Sequence, residues 1–162
     1  MTRCVSIVMY HYVRDLENSR YPEIKGLAID LFKEQIAYIQ NHYHVISAYD
    51  LMDAVQTGDD LPPNALLLTF DDAYSDHFNF VFPVLDSHGI PGSFFPSAKC
   101  IINRQVLDVN KIHFILASVV DKRLLVDEIT RSVDGARASY DLAENNWYWD
   151  KVGVPSRYDP AD

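Results

Sequence analysis

Residues 66–76 read LLLTFDDAYSD, and the fold turns on how this stretch is read. A continuous apolar run, Leu66 to Leu68, leads within two residues into adjacent carboxylates, Asp71 and Asp72. A short apolar run bounded by turn formers reads as a buried strand. Two acids at the end of such a strand are costly unless something uses them. Neighbouring residues inside a strand point to opposite faces, so both acids can serve one site only where the strand ends and the chain turns.

Working outward, three further stretches read as strands: Val5 to Tyr10, His44 to Ile46 and Ser93 to Phe95, beside Ala65 to Phe70. Each is short, β-branched or aromatic, and bounded by turn formers. Between them the period becomes helical. Asp30 is the expected N-cap for Phe32, Ile36 and Ile39. Ser47 with Asp50 three residues on is a capping box for a helix that stops near Gly58. Phe78, Phe82 and Leu85 suggest another helical stretch, which Pro83 must begin or kink and His88-Gly89 closes. Strand alternating with helix argues for parallel βα units in an α/β fold, with the site at the C-terminal ends of the strands.

After residue 100 the character changes. Asp108 starts a run with Ile112, Leu116 and Val119 at helical spacing, and Leu124, Leu125 and Ile129 follow in the same style. The stretch from Gly135 onward shows no periodicity and is expected to be irregular. Two units are therefore expected, residues 1–100 with the strands, and 101–162 as a helical insertion or subdomain ending in an irregular segment.

The 162 residues are 48% hydrophobic, enough for one ordinary core. The formal charge of −9 argues against a nucleic-acid or polyphosphate partner, because repulsion opposes encounter. No segment approaches the roughly 20 apolar residues of a membrane span, and the N-terminal apolar stretch is interrupted too soon for a signal peptide. A soluble, cytoplasmic protein is the expectation. Cys4 and Cys100 are expected to be small buried hydrophobes rather than a disulfide or metal pair.

The stretch from Leu68 to Phe95 resembles the polysaccharide deacetylases of the NodB-homology type, carbohydrate esterase family four. Thr69, Phe70, Asp71 and Asp72 match the T-F-D-D-G motif, with Ala73 in place of its glycine. The phenylalanine-proline pair at Phe82-Pro83, the closing Gly89 and the paired Phe94 and Phe95 follow the same pattern, and Tyr10, His11 and Val13 resemble the Y-H-x-V of one branch. The resemblance covers roughly the first hundred residues. It implies a partial (β/α) barrel with a helical insertion after the fourth strand, and metal-dependent removal of acetyl groups from an N-acetylated sugar or polysaccharide. It makes Asp71 the catalytic base and Asp72 a ligand of a divalent metal, commonly zinc. His11 and Tyr74 are the further candidates for the rim of the site or for substrate contact.

The family's second motif, two histidines in H-S/T-x-x-H, is missing. The six histidines are His11, His42, His44, His77, His88 and His113, and no two are four apart. Catalytic zinc takes three protein ligands, and a complete barrel of this general kind runs to about 250 residues. The expectation is a truncated chain, inactive as a fragment, with a carbohydrate substrate and with a homo-oligomer or partner chain as one way of completing the barrel. The alternative is a non-catalytic carbohydrate-binding or regulatory domain. His42 and His44 read as a helix-to-strand junction, His77 as solvent-facing, His113 as packed, and Trp147-Tyr148-Trp149 as an aromatic cluster that fills a core or interface sooner than it stacks on a sugar.

Overall fold

The computed structural model of the chain describes residues 4–152. They divide into two compact units, meeting in sequence at Ser118 and Val119. The first is α/β. Its main sheet is parallel and is built from β1 (Ser6–Tyr10), β4 (His44–Ile46), β5 (Ala65–Asp71) and β6 (Ser93–Phe95). β2 (Val13–Arg14) and β3 (Leu27–Ala28) form a separate short parallel pair. β5 is the axis of the sheet. β1 pairs with it along Leu66 to Phe70, β4 along Ala65 to Leu67, and β6 along Thr69 to Asp71.

The period-2 geometry of β5 explains its composition. Leu66, Leu68 and Phe70 join Tyr10, Val13, Val81 and Leu85 in the core, against Phe32, Ile36 and Ile39 of α1 (Ile29–His42). The alternate residues Leu67 and Thr69 are themselves little exposed, so the strand reads as a continuous apolar run. Each large side chain buried here stabilises the fold by about 1.5–3 kcal/mol. The same alternation leaves Ile7 and Met9 of β1 facing outward, each 58% exposed. They pair with Leu67 and Thr69 and so lie on the face of the sheet that carries Asp71.

The capping box of α2 (Ala48–Thr57) is present as expected. The Ser47 hydroxyl accepts from the Asp50 amide at 3.2 Å, and the Ser47 amide donates to the Asp50 carboxylate at 2.8 Å. The Ser47 hydroxyl, which also donates to Asp50 Oδ2 at 2.7 Å, and then the Ser47 amide hold the Asp50 carboxyl below its usual range. Gly58 ends the helix at φ 79°, a left-handed conformation that glycine adopts without steric penalty. The cap of α1 differs from expectation: Ala28 occupies that position, and Asp30 lies inside the first turn, paired with Lys33 at 3.0 Å.

After β5 the chain forms a five-residue π-helical turn, His77–Val81, and then α3 (Phe82–Ser87). Pro83 is the second residue of α3, at the point where the π-helical turn gives way to the α-helix. α4 (Ala98–Asn103) and α5 (Asp108–Ser118) complete the first unit, so the unit boundary falls after α5, not at residue 100.

The second unit contains α6 (Lys122–Tyr140) and α7 (Asn145–Val152). Residues 135–140 and 145–152 are therefore helical where an irregular segment was expected. The apolar spacing that marks a helix stops near Val133. The helix continues on capping and charge pairs instead, with Asp134 bonded to both Arg137 and Asn145. Trp147 and Trp149 lie on α7, half exposed, with Tyr148 edge-on to Trp147 at 5.1 Å. Cys4, expected to be buried, is exposed, because the strand begins only at Ser6.

Candidate active site

The acid pair occupies the turn that leaves β5. Asp71 is the last residue of the strand. Asp72 and Ala73 then take left-handed backbone conformations, φ 71° and 49°. This break in alternation lets consecutive side chains serve one cleft. The cleft has a volume of about 400 Å³ and is lined by Thr69, Asp71, Asp72, Phe95 and Ser97. The Asp72 amide donates to the Phe95 carbonyl at 3.0 Å, which ties the turn to the end of β6.

Ala73 stands where the resembling motif has glycine, and it keeps the backbone that glycine favours. For an L-residue that conformation costs about 1 kcal/mol. Ala73→Gly is therefore expected to raise stability by up to about 1 kcal/mol, less the added entropy of the unfolded glycine. Denaturant unfolding checks it, and a drop in the midpoint would show that Ala73 is not strained.

The remaining candidates fall into place around the turn. The His11 ring nitrogen Nε2 lies 4.0 Å from Asp71 Oδ2, and both side chains remain partly open to solvent. His11 thus lies beside Asp71, partly open to solvent. Tyr74 is not free to meet a substrate through its hydroxyl, which donates to Asp72 Oδ2 at 2.6 Å. Burial first, and then this hydrogen bond, pushes the phenol above its ordinary value, so it stays protonated as a donor. The Tyr74 ring stacks on Tyr12 at 4.4 Å, and Asn110 of α5 contacts both hydroxyls.

His77, expected to face solvent, is only 3% exposed. Its Nε2 lies 2.6 Å from the His11 carbonyl oxygen, which can only accept, so Nε2 carries the hydrogen. Nδ1 is then a buried acceptor without a hydrogen-bond partner. The π-helical turn carries His77 inward, underneath the residue whose side chain reaches Asp71. Arg14 is another participant that sequence reasoning missed. Its Nε donates to Asp76 Oδ2 at 2.7 Å, joining β2 to the chain just beyond the acid pair, and its guanidinium lies over the rings of Tyr12 and Phe114.

His42 and His44 flank the junction of α1 and β4 and bond to the carbonyls of Tyr38 and Pro63, in keeping with the expected junction role. His113 is held near the Tyr12 hydroxyl at 3.3 Å.

Among the described residues no three His, Cys, Asp or Glu side chains gather in an arrangement that could hold a metal ion. Oδ2 of Asp72 is moreover engaged by Tyr74. A catalytic zinc centre takes three protein ligands. These residues therefore offer an acid pair, not a complete ligand set. No helix among the described residues is long and apolar enough to cross a membrane.

Comparison with known proteins points to one family. Residues 58–133 match the family model described as polysaccharide deacetylase. A poly-β-1,6-N-acetyl-D-glucosamine N-deacetylase of Escherichia coli (strain K12) is 31% identical over 91 residues, covering 55% of this chain and 13% of the relative. Among solved structures, IcaB from Ammonifex degensii aligns with a TM-score of 0.51 at 27% identity, over 59% of this chain and 39% of that one. A de-N-acetylase from Aggregatibacter actinomycetemcomitans gives 0.49 at 28% identity, over 57% and 37%. The chain thus spans about an eighth of the curated relative and under two fifths of these two solved structures. The matched region contains β5 and both acids, and it is this part of the chain that is similar to the polysaccharide deacetylase family.

Proposed function

We propose that this segment carries the acid pair of an enzyme that hydrolyses the acetamide of an N-acetylated polysaccharide, with a polymer of N-acetylglucosamine as the first substrate to try. The observation that carries the reading is the left-handed turn at Asp72 and Ala73, which brings two consecutive carboxylates to one open cleft. In this reading Asp71 accepts the proton of the water that attacks the amide carbonyl, and His11 lies at the rim beside it. Asp72 is one ligand of a divalent metal, zinc by resemblance, and the remaining ligands come from outside residues 4–152. The metal, where bound, supplies an activated water.

The sheet belongs in the same reading to a partial (β/α) barrel. Ile7, Met9 and Phe95, exposed on the face that carries Asp71, are the kind of surface that a closed barrel covers. Tyr74 supports Asp72 and does not contact substrate through its hydroxyl.

The test starts from the protein as its native cell makes it. Its intact mass, and its release of free amines from poly-β-1,6-N-acetylglucosamine, are measured together. Release that stops on Asp71→Asn supports the reading, whereas a competent protein indifferent to that change refutes it. The purified 162-residue chain with added zinc is expected to release no amine above background, because the ligand set is incomplete; Asp71-dependent release by the chain alone would overturn that expectation. The incomplete set also favours a second reading, a non-catalytic carbohydrate-binding domain. That reading gains support if the native protein equals this chain in mass and binds the polymer without cleaving it.

A further inference from the structure

Asp72 is held by a chain of hydrogen bonds that begins 38 residues away in sequence, on α5. The ionised carboxylate can only accept, so the 2.6 Å contact takes the single hydrogen of the Tyr74 hydroxyl. The Tyr74 oxygen must then accept from its other partner, which places the amide nitrogen of Asn110, and not its oxygen, at 2.7 Å. The second hydrogen of that amide goes to the Tyr12 hydroxyl at 3.0 Å. Asn110 is 5% exposed. Stacking of Tyr12 on Tyr74 fixes the two oxygens that its fork must bridge. With the amide reversed, its oxygen would compete with Asp72 for the same hydrogen.

We propose that Asn110 is a positioning residue for the acid pair: its two amide hydrogens polarise the tyrosine pair so that Tyr74 delivers its only hydrogen to Oδ2 of Asp72, leaving Oδ1 for a cation. This assigns α5 a task at the site, although sequence placed it in an insertion. The catalytic consequence rests on Asp72 being a metal ligand as proposed above. The hydrogen-bond polarity does not.

The experiment reads the carboxylate directly, without metal or substrate. The chain is labelled with 13Cγ-aspartate and its spectrum recorded at a pH well above the carboxylate range, with the Asp72 signal assigned by Asp72→Asn. Tyr74→Phe removes the donor and is expected to move the Asp72 signal. Asn110→Asp has the same shape but offers acceptors in place of hydrogens, so it draws the Tyr74 hydrogen away and is expected to move the signal in the same direction. A shift with Tyr74→Phe and none with Asn110→Asp overturns the assignment of Asn110. No shift with either overturns the hydrogen bond itself. If Asn110→Asp does not fold, Asn110→Ala takes its place: it removes the polarising donor but leaves Tyr74 its hydrogen, so a smaller shift in the same direction is expected and an unmoved signal again overturns the proposal. Failure here leaves the acid-pair reading intact, whereas an active enzyme indifferent to Asp71→Asn removes that reading and leaves the positioning role standing.

Discussion

Asp71→Asn in the catalytically complete protein is expected to lower turnover by about 10²–10⁴-fold, the range typical of general acid–base catalysis, with metal content unchanged. The amide keeps the size of the carboxylate at the end of β5 but cannot accept a proton from water. The nearest cationic candidate, His11, is 4.0 Å away at an open rim, where an ion pair contributes at most about 1 kcal/mol. Asp72→Ala is expected to do the converse, lowering metal content along with turnover. It also takes the acceptor from the half-buried Tyr74 hydroxyl, so its folding must be checked by circular dichroism. Amine release and metal stoichiometry, measured on the same preparations, separate the two roles. If both variants lose metal equally, the division into base and ligand fails.

The strands of the main sheet were legible because each is short and apolar or aromatic, and β5 and β6 are also bounded by asparagine, glycine or proline. His44–Ile46 and Ser93–Phe95 occur with the expected ends, and β5 runs one residue further, to Asp71 itself. The capping box at Ser47 and the glycine stop at Gly58 were equally readable, since both act through neighbours in sequence. The two-residue pair Val13–Arg14 and Leu27–Ala28 left no periodic signal, being too short to show one.

The acid pair was visible as a local motif, but its support was not. Tyr74 reads as a generic aromatic until Asn110, 36 residues on, is seen against it. His77 reads as a polar residue on the outside of a helix. It turns inward because the segment forms a π-helical turn, whose wider spacing rotates side chains away from the faces that a period of 3.6 predicts. Arg14 and Asp76 lie 62 residues apart, and no sequence pattern links them. What sequence shows is chemistry that is local, or that repeats; hydrogen bonds closed by tertiary contact become visible only in the fold.

Phe70→Ala is the stability change with the largest expected effect, a loss of about 3–5 kcal/mol. Phe70 is fully buried in β5, immediately before the base. Its ring stacks on Tyr10 at 5.3 Å and on Phe94 at 4.9 Å, and meets Phe32 and His77 edge-on at 6.2 and 5.7 Å. These partners come from β1, β6, α1 and the π-helical turn, so one side chain ties β5 to four other elements. Gly92 approaches so closely that an added Cβ would lie 3.1 Å from Phe70 Cε2, and little slack remains. A domain of this size is stable by only about 5–15 kcal/mol, so the loss is a large fraction of the whole. Phe78 is the control: it is 75% exposed, stacked on Phe82, and Phe78→Ala should stay within about 0.5 kcal/mol of the parent. Urea unfolding of both variants decides the matter. Equal midpoints would mean that the aromatic cluster around Phe70 does not hold the sheet together, and the cleft would need another source of rigidity.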